Sequence, residues 1–149
     1  MLMHTIQLKD ESDTLILGQS LAEALRTGDF VALTGDLGAG KTTLARGLIT
    51  ALVGETEVPS PTYTLVQTYN SRDMEIWHCD LYRLEAPEDV FELGLMDVLD
   101  DIVCLVEWPE RLGGYLPKDR LTIDLSFAKE GRIATVSGGP SWTERMEKL

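Results

Sequence analysis

Basic residues are scarce in this sequence: 13 Lys and Arg stand against 25 Asp and Glu, a formal net charge of −12 over 149 residues. Clustered cations are what grip nucleic-acid phosphates or an anionic membrane surface. The deficit therefore argues against a chain that holds RNA or DNA by itself, and against a membrane as its main partner. It does not exclude a small local site for a phosphorylated ligand. Cysteine is equally rare. Cys79 and Cys104 are too few for a disulfide scaffold and form no CxxC pair, so both read as buried strand residues rather than metal or redox groups. No apolar run approaches the ~20 residues of a membrane span. The start, Met-Leu-Met-His-Thr-Ile-Gln-Leu-Lys-Asp-Glu, lacks the basic stretch and apolar core of a signal peptide. A cytoplasmic protein is expected. Repeats, low-complexity tracts and linkers are also missing, which predicts one domain over residues 1–149. Gly138-Gly139-Pro140 closes its compact part, and a short helix or mobile tail is expected from Trp142.

What is present is a core-forming composition, 44% hydrophobic and 26% charged, arranged with clear periodicity. Asp10 to Leu25 reads as an amphipathic helix capped by Ser12, with Leu17, Leu21 and Leu25 at i+4 spacing. Phe30 to Thr34 is a short apolar strand. Lys41 to Val53 is a second helix, with Leu44, Leu48 and Leu52 on one face and Gly54 just past its end. Strands are predicted at Tyr63–Tyr69 and Met74–Leu81. Pro87-Glu88-Asp89 opens another helix, with Pro in the first turn and acids at its positive end. Ile102 to Val106 is the most continuously apolar run and suits a central parallel strand. Leu121–Leu125 and Arg132–Val136 form a late strand pair around Lys129-Glu130-Gly131. Helices alternating with strands early and a strand pair late imply an α/β sheet with some antiparallel pairing.

Gly35-Asp36-Leu37-Gly38-Ala39-Gly40-Lys41-Thr42 matches G-x-x-x-x-G-K-[ST], and it lies between an apolar strand and an amphipathic helix. Glycines let successive backbone N–H groups turn inward at a helix N-terminus, which makes an anion nest. Lys41 would reach the β- and γ-phosphates, the Thr42 hydroxyl would ligate Mg²⁺, and Thr43 could add a phosphate contact. The motif in this setting predicts binding of a nucleoside triphosphate.

Such a site needs an acid beside the magnesium, usually at the end of a buried strand. Glu107 and Asp80 both qualify, because ligands collect at the C-terminal edge of parallel strands. By form Glu107 is the better magnesium-side residue, and Asp80 suits binding through water or orienting an attacking water. His78 should share a strand face with Asp80 and reads first as a structural histidine. Val58-Pro59-Ser60-Pro61-Thr62-Tyr63-Thr64 has two readings, a switch segment offering hydroxyls to magnesium or the γ-phosphate, or an ordinary Pro-rich turn. No Lys is followed two residues later by Asp and the only Asn is Asn70, so the guanine-reading motif is missing and ATP is favoured over GTP. Arg83, Arg111 and Arg132 are available to stabilise transferring charge.

Four motifs together, Gly-Asp-Leu-Gly-Ala-Gly-Lys-Thr-Thr at 35–43, Ser-Pro-Thr-Tyr at 60–63, His-Cys-Asp-Leu-Tyr-Arg-Leu at 78–84 and Glu-Trp-Pro-Glu-Arg at 107–111, resemble the TsaE (YjeE) family in order and spacing. The resemblance implies a P-loop NTPase-like three-layer sandwich, with a central, mostly parallel sheet and late antiparallel strands. It implies an ATP- and Mg²⁺-dependent ATPase, weak alone, required for threonylcarbamoyladenosine formation in tRNA. That role is exercised with the TsaB–TsaD complex, which performs the transfer, so tRNA contact is indirect. Carried over by motif, Asp36, Leu37, Gly38, Ala39, Gly40, Lys41, Thr42 and Thr43 are nucleotide contacts, and Thr42 with Glu107 holds Mg²⁺. Asp80 is the catalytic or water-orienting acid, Thr62 belongs to the switch segment, and Trp108 lies beside the site. Glu11 and Arg132 match two further nucleotide contacts of the family. Two other functions remain open on sequence alone. One is a small-molecule P-loop kinase, although the chain is short for a lid and an acceptor pocket; the other is a nucleotide sensor without productive hydrolysis.

Overall fold

A computed structural model describes residues 2–36, 38–59, 65–71 and 73–149, and for Leu2 the backbone alone. Among the described residues, seven strands form one sheet in the order β1-β7-β6-β2-β5-β4-β3. These are β1 (Leu2–Leu8), β2 (Phe30–Gly35), β3 (Val66–Asn70), β4 (Glu75–Asp80), β5 (Val103–Glu107), β6 (Leu121–Phe127) and β7 (Arg132–Gly138). The centre is parallel: β2 pairs with β5 and β6, and β5 with β4. Antiparallel strands complete both edges, β3 on β4 at one and β1 and β7 beyond β6 at the other.

The two long helices, α1 (Glu11–Ala24) and α2 (Lys41–Val53), lie together on one face. Leu17 and Leu21 of α1 and Leu44, Leu48 and Ile49 of α2 are buried against Val31, Leu33, Leu105 and Ile123 of the sheet. Each such side chain contributes about 1.5–3 kcal/mol by burial. The helices approach to backbone contact because two glycines face each other's partner helix. A Cβ at Gly18 would stand 2.5 Å from the Leu44 carbonyl oxygen, and one at Gly47 would stand 2.6 Å from that of Leu15. The opposite face is covered by two 3₁₀ helices, Pro87–Leu93 and Pro109–Tyr115, and the single turn α3 (Leu95–Val98). These bury Val90, Leu95 and Leu112 against Phe30, Ala32, Cys104 and Val106. The result is the three-layer α/β arrangement expected, with a parallel centre. Among the described residues no helix is long and apolar enough to cross a membrane.

The structure departs from the sequence reading at several places. The cap of α1 is Asp10, not Ser12: Asp10 Oδ1 accepts from Asp13 N–H at 3.0 Å, and Asp13 Oδ2 accepts from Lys9 N–H at 2.9 Å. This reciprocal pair satisfies two amide donors at once, so Asp10 prevails and Ser12 falls inside the first turn. The helix opened by Pro87 is 3₁₀ and stops at Gly94, whose φ of 73° reverses the chain before α3. Strand β1 was not anticipated, although Ile6 and Leu8 alternate with Thr5 and Gln7 in the strand pattern. Of the strand expected over Tyr63–Tyr69, β3 accounts for Val66 onward, and Ser60 to Thr64 lie outside the described residues.

The short helix expected from Trp142 takes the 3₁₀ form. Two 3₁₀ turns, Pro140–Trp142 and Arg145–Lys148, fold back onto the α1–α2 side of the core, where Trp142 and Met146 are fully buried. Arg145 stacks on Trp142, with its guanidinium carbon 3.7 Å from the ring centroid. It also donates to Asp29 through two nitrogens, at 2.6 and 3.0 Å. Cys79 and Cys104 are both buried, free, and on the face away from α2.

Candidate functional site

The loop from Gly35 to Gly40 leaves the C-terminal end of β2 and enters α2 directly. At Gly40, the residue capping α2, φ is 108°, a value that L side chains rarely adopt, so only glycine turns the loop into the helix without strain. The first turn of α2 therefore presents Lys41, Thr42 and Thr43 to a cleft of about 580 Å³. Lys41 is 8% exposed; its Nζ donates to the Gly35 carbonyl at 2.7 Å and lies 4.8 Å from the centroid of Trp108.

The opposite wall comes from β4 and β5. Their parallel register makes Asp80 and Glu107 direct partners at the strand ends, and Leu33 of β2 pairs with Glu107 in turn. Both carboxylates are buried at 4% exposure, and both line the cleft. One Asp80 oxygen accepts from the Tyr82 N–H at 3.0 Å. Glu107 Oε2 lies 2.8 Å from His78 Nε2. After Glu107 the backbone reverses at Trp108, with φ 58° and ψ 49°, before Pro109 starts a 3₁₀ helix. A bulky residue in this left-handed conformation costs of order 1–3 kcal/mol and persists only where its surroundings enforce it. Here it directs the indole over Lys41 and against Tyr82, 4.9 Å between ring centroids. Arg111 caps the row, 5.5 Å from the Tyr82 centroid, and donates to the Leu84 carbonyl at 3.4 Å.

A second hollow of about 450 Å³ lies on the other side of the loop, sharing Gly38, Gly40 and Thr43 with the first. Glu11 and Arg132 line it, from the start of α1 and from β7. Arg132 donates to the Gly38 carbonyl at 3.4 Å and stacks on Phe127 at 4.4 Å, while Glu11 pairs with Arg46 at 3.4 Å.

Of the residues singled out in the sequence, Asp36, Gly38, Gly40, Lys41, Thr42, Thr43, Asp80, Glu107 and Trp108 thus meet at one cleft. Glu11, Arg132 and the buried Ala39 gather at the adjoining hollow. Leu37 and Thr62 lie outside the described residues. Arg83 is exposed and lines neither space. Sequence reasoning gave no role to Tyr82, although it stands two residues beyond Asp80, and it placed a structural role for His78 ahead of a catalytic one. The register that joins His78 to Glu107 carries no signal in a single sequence.

The donor set suits a hard cation. Hydroxyl and carboxylate oxygens, those of Thr42, Asp80 and Glu107 among them, line the cleft. Magnesium is usually held in that manner, by one or two protein oxygens together with water and substrate phosphates.

The family model described as threonylcarbamoyl adenosine biosynthesis protein TsaE matches residues 8–134. The tRNA threonylcarbamoyladenosine biosynthesis protein TsaE of Rickettsia felis is 40% identical over 126 residues, covering 84% of this chain and 74% of that one. The protein of the same name from Haemophilus influenzae is 40% identical over 134 residues, covering 86% and 85%. The crystal structure of YdiB from Bacillus subtilis superposes with a TM-score of 0.82 at 29% identity, covering 98% of this chain and 93% of that one. With the phosphate loop, the paired strand-end acids and these similarities in agreement over most of its length, the chain belongs to the TsaE family of threonylcarbamoyl adenosine biosynthesis proteins.

Proposed function

We propose that this protein binds ATP with magnesium and hydrolyses it in support of threonylcarbamoyladenosine formation in tRNA, acting on a TsaB–TsaD complex that performs the transfer. One observation carries the reading: the Lys41 ammonium is seated at the mouth of a glycine loop, across a cleft from two buried carboxylates on adjacent parallel strands. A buried cation and inward-turned amides bind phosphate, and strand-end acids serve the metal and the nucleophile.

Phosphates enter the cleft beside Lys41, and the hollow past Gly38, with Glu11 and Arg132, receives the remainder of the nucleotide. Thr42 and Glu107 would hold magnesium, which would supply charge neutralisation to the phosphates. Asp80, fixed by the Tyr82 amide, orients the attacking water and accepts its proton. Trp108 and Tyr82 wall the cleft beside it. The net charge of −12 fits a protein that meets basic patches on a protein partner and leaves tRNA to the assembled complex.

Reconstitution tests this reading. With purified TsaB and TsaD, the chain is expected to associate in an ATP-dependent manner and to permit repeated rounds of modification. Labelled γ-phosphate is expected in free phosphate. Label on a small acceptor would establish a kinase instead. Unchanged partner activity in Asp80→Ala and Glu107→Ala, with binding retained, would reduce the protein to a nucleotide sensor.

A further inference from the structure

The contact between His78 and Glu107 in the cleft wall is short and secluded: 2.8 Å, with His78 fully buried and Glu107 nearly so. The parallel register pairs His78 with Leu105 and Asp80 with Glu107. Side-chain alternation therefore sets His78, Asp80 and Glu107 on the same face, the one covered by α2. The 2.8 Å contact places Nε2 to donate to Oε2 of the carboxylate. Among the described residues the other ring nitrogen, Nδ1, has no hydrogen-bond partner. A buried acceptor without a partner is unfavourable, and an apolar side chain of similar volume would avoid it. Among the described residues, the contact with Glu107 is the one hydrogen bond that the ring makes.

We propose that His78 is the positioning residue of Glu107: its Nε2–H holds Oε2, fixes the carboxylate rotamer, and leaves the other oxygen to the cleft shared with Thr42. This inference rests on the magnesium–nucleotide reading above. Histidine and carboxylate exchange the roles familiar from zinc sites, where an outer carboxylate orients a ligating imidazole; here the imidazole orients the ligating carboxylate. Loss of such an outer partner typically weakens metal affinity by about 10–100-fold.

The test is a binding titration on the full chain with a non-hydrolysable ATP analogue, measuring affinity without divalent cation and then the Mg²⁺ concentration giving half of the maximal enhancement. His78→Leu is expected to raise that Mg²⁺ concentration by about 10–100-fold and to leave cation-free affinity unchanged. His78→Gln, whose amide nitrogen can stand near the Nε2 position and donate, is expected to restore most of the wild-type response. His78→Asn, whose shorter amide stops near the Nδ1 position, is expected to behave like the Leu variant. If His78→Leu does not fold, the Gln and Asn pair carries the test. A folded Leu or Asn variant titrating like wild type, or equal shifts in Gln and Asn, would overturn the proposal, since a purely structural histidine predicts lower stability without a selective magnesium effect. Failure of the underlying reading looks different: wild-type protein would itself show no nucleotide binding or no magnesium dependence.

Discussion

The ammonium of Lys41 rests 4.8 Å from the centroid of Trp108, and the indole reaches it only because the Trp108 backbone is left-handed. Strain in one residue thus positions the charge of another. Cation–π contacts are worth about 0.5–2 kcal/mol, so Trp108→Leu should weaken nucleotide binding by roughly 2–30-fold, without abolishing it. The ring holds Lys41 in place as a triphosphate enters beside it, and tryptophan emission should change on addition of ATP. Trp108→Phe should remove most of that signal while Trp77 and Trp142 remain. A full response in the Phe variant would show that another tryptophan reports binding.

Asp80 and Glu107 face each other across the β4–β5 ladder but make different contacts, Asp80 with a backbone amide and Glu107 with His78. That difference predicts separable functions. Asp80→Asn should preserve nucleotide affinity and lower the hydrolysis rate by about 10²–10⁴-fold, the usual worth of a positioned general base. Lys41→Met should act in the opposite order and lose binding first, because the phosphates then lose the buried ammonium at the mouth of the loop. Calorimetric affinities beside steady-state rates distinguish the two, and equal losses of affinity in both variants would deny the division of labour.

The site was legible in the sequence to the extent that it is local. The glycine loop and α2 are consecutive residues whose conformations follow from Gly40 and the spacing of Leu44 and Leu48, so both could be read directly. The strand-end acids were legible because an apolar run terminates at each. What could not be read was register: nothing in the sequence states that residue 78 lies beside 107, or that Asp29 waits for a side chain 116 positions later. The C-terminal residues look like a tail for the same reason. Trp142, Arg145 and Met146 are spaced for no long element, and their order comes from the core surface that receives them.

The Arg145–Asp29 pair makes that last point measurable. Both side chains are under 10% exposed, and Asp29 Oδ2 also accepts the Arg26 N–H at 2.7 Å. Removing one partner of a buried, multiply bonded pair strands the other, at a cost of about 3–5 kcal/mol. Arg145→Met should therefore lower the melting temperature by roughly 10 °C in a chain of this length. Nucleotide affinity at 20 °C, well below that transition, should be unchanged, since the pair lies outside both site hollows. A small shift in melting would mean that Trp142 and Met146 hold the C-terminus without it.

Alkaline stability should depend on Cys104. Complete burial pushes its thiol well above the ordinary range, and the hydrogen-bonded Cys79 thiol beside it acts in the same direction. A raised value means that the folded state retains a proton which the unfolded chain gives up above about pH 8.5. The associated stability is therefore fully present below that pH and is lost as pH rises toward the folded-state value. Burial also raises the Tyr69 phenol, which adds a loss of the same sign above about pH 10. Urea midpoints for wild type should fall between pH 8 and pH 9.5, and Cys104→Ala, though less stable at neutral pH, should show a flatter decline across that interval. At pH 8 neither cysteine should react with a thiol reagent until urea unfolds the chain. Rapid labelling of the native protein would show instead that the β4–β5 face opens on the reagent's timescale.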